Sequence, residues 1–366
     1  MAESASSSAP EQTQPHHPHP RHPVWRWLKW VVALGLIAGL IYFNRKDISD
    51  FRNLEKDWGY LGIGFVLCLV ATLSTFFRWY LLVRALDFPF RVWDAIRLGF
   101  MGTLFIYAGP GLVGGDLFKA VFLAREHPGR RAVAASTVFL DRLLGMLALF
   151  NLGAIASLFV PFQNSPEQIA IRTILWTGSV AGMLGIALLL QPWFTHLKWI
   201  QSLGRIPKLG PIFISLLNGL VLYQSRVSVI VIVVIMGIFN HVANFTGMYC
   251  CALALNLGDR APNLWTHYYL MPAAAFAGLL PTPGGIGPQE WMIQHLYGIQ
   301  PGAAGAMGAA SAGFFAALAF RMLNVAIALI GVPFYLLSRK EVLQTIEQEE
   351  AELDEISHEA QTSTDL

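Results

Sequence analysis

Arg78, Asp141, Arg142 and Arg321 fall inside long apolar runs, and Asp116, Lys119 and Glu290 lie on apolar stretches broken by Gly and Pro. An Arg or Asp at the centre of a membrane helix costs about 2.5–3.5 kcal/mol on insertion scales, so such residues pair or face a water-filled path. A guanidinium is always charged, and its fork matches phosphate oxygens bidentately. Arg142 and Arg321 are therefore candidate anion-binding groups. Asp141 and Arg142 are adjacent, project about 100° apart and do not face each other. Each needs a partner on another element. By sign, Asp116 or Glu290 suits an arginine, and Arg78 suits Asp141. A purely architectural role for Arg78 and Asp141 stays open, and Arg78 could also snorkel from the end of its run.

The carboxylates follow two similar turns. One reads Gly109-Pro110-Gly111-Leu112-Val113-Gly114-Gly115-Asp116, the other Pro281-Thr282-Pro283-Gly284-Gly285-Ile286-Gly287-Pro288-Gln289-Glu290. Each is an apolar helix, a Gly/Pro turn, then a carboxylate opening a second short helix. Each precedes a long apolar run with an arginine: Arg142 lies 26 residues past Asp116, and Arg321 31 past Glu290. Paired interruptions of this kind point to a transporter binding site between repeats. Asp116 also reads as an N-cap, and Glu290 as a first-turn acid favoured by the helix dipole. Helix N-termini starting at Gly111, Gly114, Gly115, Gly284, Gly285 and Gly287 would add donors for an anion.

Asn240, His241 and Asn244 sit in one apolar run, with 240 and 244 on one helical face. Such residues either join neighbouring helices or line a polar path. The 109–114 segment matches G-x-G-x-x-G but lacks the βαβ setting of a nucleotide site. Cys68, Cys250 and Cys251 have no metal-ligand spacing. His16, His17, His19 and His22 belong to a Pro/His-rich leader. No cofactor, metal or catalytic triad is expected.

These residues need a membrane scaffold. The chain is 55% hydrophobic and 13% charged, against about 25% charged in a soluble domain. About 20 apolar residues cross a bilayer, and such runs occupy 27–43, 60–83, 132–160, 172–192, 227–255 and 303–338. The last is one tilted helix or two broken near Arg321. Stretches 98–124 and 264–298 read as re-entrant hairpins, since broken backbone is tolerated where protein buries it or a cavity hydrates it. The fold class is thus all-α, a polytopic helix bundle with two re-entrant hairpins in an inverted repeat. Its domains are a disordered leader at 1–26, a membrane domain at 27–340 and an acidic tail at 341–366. With both termini cytoplasmic, Arg91, Arg97, Arg125, Arg130, Arg131, Lys198, Arg205, Lys208 and Arg226 lie inside. Arg45, Lys46, Arg52, Lys56, Arg172 and Arg260 lie outside, as the positive-inside rule favours. Segment 193–226 suggests an interfacial helix with Ile212, Leu216, Leu220 and Tyr223 on one face.

The 109–116 turn, Asp141-Arg142 and the 281–290 turn together resemble the lysylphosphatidylglycerol synthase transmembrane region, or flippase-like domain. The resemblance covers roughly residues 28–340. It implies a helical bundle in the cell (plasma or inner) membrane that moves a lipid with a charged or glycosylated head group between leaflets. Synthase activity resides in a separate domain of such proteins, and the flanking residues 1–26 and 341–366 are not expected to supply it. The partner expected is a membrane lipid, not nucleic acid. A small polar or anionic solute remains an alternative cargo. A second copy of the chain or a lipid-modifying enzyme remains open as a protein partner.

Overall fold

The computed structural model describes residues 55–108, 112–161, 164–195, 210–280, 282–300 and 306–338, with isolated positions at 31, 35, 38, 39, 42, 197 and 202. The leader, the acidic tail, Gly111 and most of the expected first span lie outside the described residues. Regular structure among those described is helical throughout. In chain order the principal helices are α1 (Trp58–Ala85), α2 (Val92–Ala108), α3 (Leu112–Glu126), α4 (Arg131–Ala156), α5 (Pro166–Leu189), α6 (Gly210–Val221), α7 (Val227–Ala254), α8 (Leu264–Ala277), α9 (Pro288–Gly298), α10 (Ala306–Leu329) and α11 (Gly331–Leu337).

Five described stretches are long and apolar enough to cross a membrane: 58–85, 128–159, 166–189, 217–254 and 308–337. They coincide with the runs read from the sequence. Local signals set their ends. Asp57 caps α1 by accepting from the N–H groups of Gly59 at 2.8 Å and Tyr60 at 3.3 Å, and Ser165 with Pro166 opens α5. The last span differs from both expectations. It runs unbroken through Arg321, and its α-helical hydrogen bonding is interrupted only at Ile330, which bonds to Ile327 O at 3.1 Å and keeps right-handed helical angles. At Gly331 any Cβ would strike the Phe100 carbonyl, so the interruption lies where α11 meets α2 closely. Phe334 then stacks on Phe100 at 5.6 Å, and Tyr335 meets Phe105 edge-on at 5.8 Å.

Helices α1 and α7 pack antiparallel along their length. Asp57 N–H reaches Ala254 O at 2.9 Å at one end, and Tyr223 OH, just before α7, reaches Leu82 O at 2.9 Å at the other. Between them Gly64 and Gly247 face each other: a Cβ on Gly247 would lie 2.6 Å from Cys68 Sγ and 3.1 Å from Gly64 O. Small residues allow this approach, which in lipid supplies the dispersion contact that water would not drive. Helix α6 packs on α4, with Gly219 against Ser136. One side of it therefore rests on protein, and Tyr223 is buried.

The helices α2, α3, α8 and α9 have 17, 15, 14 and 11 residues. At 1.5 Å per residue each is shorter than a ~30 Å hydrocarbon layer. They form two hairpins, α2–α3 and α8–α9, whose bases lie at opposite ends of the bundle. The first base sits where α1 ends: Arg130 donates to Leu86 O at 2.7 Å and covers the Phe88 ring at 4.1 Å. The second sits where α4 ends and α5 begins: Trp265 stacks on Phe159 at 4.4 Å, and Gln168 donates to Ile299 O at 3.0 Å. Their tips meet inside, with the Tyr107 ring lying against Gly284.

Within the first hairpin, Gly115 allows α2 and α3 to touch. A Cβ there would overlap Gly102 O and lie 2.9 Å from Ile106 Cγ1, whereas one on Gly62 of α1 meets nothing within 4 Å. Gly115→Val is expected to destabilise the protein by about 1–3 kcal/mol through overpacking. Gly62→Ala should leave it unchanged or slightly firmer. Thermal unfolding in detergent micelles checks both; equal melting temperatures for the two variants would contradict the close approach.

Candidate functional site

The charged residues singled out from the sequence form three ion pairs. In the first, Arg78 grips Asp141 bidentately, Nε to Oδ1 at 2.6 Å and an η-nitrogen to Oδ2 at 2.9 Å. Both are buried. The guanidinium occupies space left by Gly145 of α4 and Gly237 of α7, where a Cβ would lie 3.1 Å and 3.3 Å from its nitrogens. Arg78 thus does not snorkel. Neither member lines a cavity, and the pair ties α1 to α4.

In the second pair, Arg142 of α4 grips Asp116 of α3 with two nitrogens, one η-nitrogen lying 2.5 Å from Oδ1. Asp116 is the fifth residue of α3, so it is not the N-cap that the sequence suggested. The helix begins at Leu112, with Gly114 and Gly115 inside its first turn. The carboxylate is free of the helix end and reaches sideways to α4.

In the third pair, Arg321 of α10 binds Glu290 of α9 at 2.5 Å. Here the guanidinium has further acceptors: Gly284 O at 2.6 Å, Gly285 O at 3.4 Å and Gln289 Oε1 at 2.8 Å. The Tyr107 ring lies 5.9 Å from its carbon. Gly284, Gly285 and Gly287 have φ of 59°, 69° and 94°, a region in which side chains are strained. Those angles turn the carbonyls of 284 and 285 toward Arg321. The Gly287 N–H donates to Glu290 Oε2 at 2.7 Å. The second tip therefore presents its carbonyls to a cation, and the N-terminal donor expected for an anion is already engaged by Glu290.

Two adjoining cavities lie between the hairpins and the long helices. The larger, about 270 Å³, is lined by Arg142 and Lys119, by Thr72 and Thr75 of α1, and by Asn240, His241 and Asn244 of α7, among others. The smaller, about 190 Å³, takes in Arg321, Tyr107, Gly284 and Asn324. Thr72, Thr103, Ile106, Asn244, Gln289 and Phe320 border both. The α7 polar residues serve both readings given above. Asn240 donates to Ala71 O at 2.5 Å and Thr75 Oγ1 at 2.8 Å, and a ring nitrogen of His241 lies 3.0 Å from Gly145 O. Asn244 makes no hydrogen bond among the described residues and faces both cavities.

The two arginines are not equivalent. The Arg142 side chain is 42% exposed and opens on the larger cavity; that of Arg321 is 14% exposed and held by four acceptors. Sequence reasoning assigned no site role to Lys119, Gln289 or the threonines. For Lys119 the signal was there, since it lies three residues past Asp116 on the same helical face. Apolar-looking threonines on a hydrophobic helix gave none. No cluster of His, Cys, Asp and Glu able to hold a metal occurs among the described residues.

A family profile described as the lysylphosphatidylglycerol synthase TM region matches residues 27–340. Comparisons with curated proteins and with solved structures give no significant match.

The Arg78–Asp141 pair generates a stability prediction. Asp141→Asn leaves a buried guanidinium without its counter-charge and is expected to cost about 3–5 kcal/mol. The double variant Arg78→Met/Asp141→Leu should recover most of that loss. Unfolding in mixed micelles measures both, and a mild single variant would contradict the architectural role.

Proposed function

The chain belongs to the family of the lysylphosphatidylglycerol synthase TM region, and we propose that it moves an anionic or glycosylated phospholipid between leaflets, as a transporter rather than an enzyme. The observation that carries this reading is Arg142: a phosphate-matching guanidinium, partnered by a hairpin carboxylate and open to a cavity of mixed polar and apolar lining inside a membrane bundle. On this reading α2–α3 and α8–α9 are the re-entrant halves of an inverted repeat. Their short lengths, opposed bases and touching tips support it. So does the recurring link from hairpin carboxylate to the arginine of the next long helix.

A lipid phosphate entering the larger cavity competes with Asp116 for Arg142. Releasing Asp116 frees α3, and with it the first hairpin, to shift against α4. The smaller cavity, behind Phe320 and Gln289, receives the head group once the second tip loosens from Arg321. Acyl chains stay in the bilayer, so only the head group needs the polar route. Basic residues Arg84, Arg91, Arg125, Arg130, Arg131 and Arg226 gather at the end holding the first hairpin's base, against Lys56, Arg172 and Arg260 at the other. This bias supports a reading in which the first end faces the cytoplasm of a cell membrane. A second reading, transport of a small anionic solute, is favoured by the cavity size, since about 270 Å³ lies below the ~300–1,000 Å³ of drug-sized ligand sites.

Proteoliposomes carrying a leaflet-specific fluorescent phospholipid test the proposal. Arg142→Gln is expected to slow translocation by roughly tenfold or more, from loss of a charge-assisted bidentate contact. Arg321→Gln should also lower thermal stability, because its acceptors lose their donor. Unchanged translocation in the Arg142→Gln/Arg321→Gln protein rejects these roles. Solute uptake with no lipid movement selects the second reading.

A further inference from the structure

The larger cavity holds one cation too many. Around Lys119 lie Asp116, Asp141, Arg142 and Arg78. Asp141 is committed to Arg78, and Asp116 is gripped by two nitrogens of Arg142. The Lys119 side chain is 9% exposed, its Nζ lies 3.9 Å from Asp116 Oδ1, and it makes no hydrogen bond among the described residues. Its other neighbours are the rings of Phe76 at 5.6 Å and Trp79 at 5.7 Å. With Lys119 protonated, three cations face two carboxylates, a local charge of +1 that is costly in a poorly solvated interior unless an anion joins it. Arg321 has no such surplus, since Glu290 neutralises it and carbonyls fill its fork.

We propose that Lys119 and Arg142 together form the site for a single phosphodiester anion, and that the site selects lipids with a net negative, hydroxyl-bearing head group. This rests on the lipid-transport reading and adds a residue and a head-group class to it. The phosphate takes the surplus charge between the Lys119 ammonium and the Arg142 fork. Thr72, Thr103 and Asn244 border the space beyond, where they meet hydroxyls. No Asp or Glu lines either cavity among the described residues. A head group carrying an ammonium therefore finds no counter-charge there and is disfavoured, by opposition as much as by lack of fit.

The test uses the full-length protein in a neutral detergent, with binding followed by native mass spectrometry. The probes are dihexanoyl-phosphatidylglycerol, dihexanoyl-phosphatidylcholine and glycerol 3-phosphate. The expected order puts phosphatidylglycerol first, with phosphatidylcholine weaker by roughly tenfold. Lys119→Met should erase that preference, and Lys119→Arg should keep it, which separates charge from packing. Equal binding of both lipids, or an unchanged preference in a folded Lys119→Met protein, overturns the proposal. Glycerol 3-phosphate binding as tightly as the lipid overturns the lipid source and assigns the anion site to a soluble solute. Lipid movement in proteoliposomes is read separately. Movement by the wild-type protein without the phosphatidylglycerol preference overturns the site, and the preference without movement overturns the transport reading.

Discussion

A guanidinium carried into hydrocarbon must take its counter-charge along, because nothing there solvates it. Much of this protein's architecture follows from meeting that demand three times. Arg78 meets it with Asp141 from a neighbouring long helix, and the result is a fixed pin. Arg142 and Arg321 meet it with carboxylates on the short hairpins, so the charge of a long helix is satisfied only while a hairpin stays docked. The same electrostatic need thus produces a permanent joint in one place and two conditional joints in others.

The two conditional joints differ in how tightly they are made. At the second tip, left-handed glycines aim backbone carbonyls at Arg321, and a glutamine side chain completes the set. An incoming anion would have to displace several acceptors at once. At the first, Arg142 has a single carboxylate and an open flank. Two hairpins with the same pairing residues therefore yield one loose joint and one locked joint. That difference arises from turn geometry, since the pairing residues in each half are the same types.

Much of this was legible in the residues. Apolar runs of about 20 residues gave the long helices, because hydrocarbon thickness imposes the length. The signs of Arg78, Asp141, Asp116, Arg142, Glu290 and Arg321 gave the partners, because unpaired charges are not tolerated at that depth. What was not legible depended on backbone direction. The N-cap reading of Asp116 failed because α3 starts at Leu112, which a Gly-Gly pair does not reveal. At Gly284 and Gly285 positive φ angles turn carbonyls inward where donors were expected, the Gly287 N–H is taken by Glu290, and φ is not written in a glycine. The interruption at Ile330 lies beside a contact between Gly331 and Phe100, residues far apart in the chain. The leader, the tail and Gly111 lie outside the described residues.

That last contact has a mechanical side. With no room for even a methyl group between Gly331 and the Phe100 carbonyl, and with the Phe334 ring parallel to that of Phe100, α11 and α2 are packed without a gap. The first hairpin is then tied to the end of the last long span through α11, as well as to α4 through Asp116.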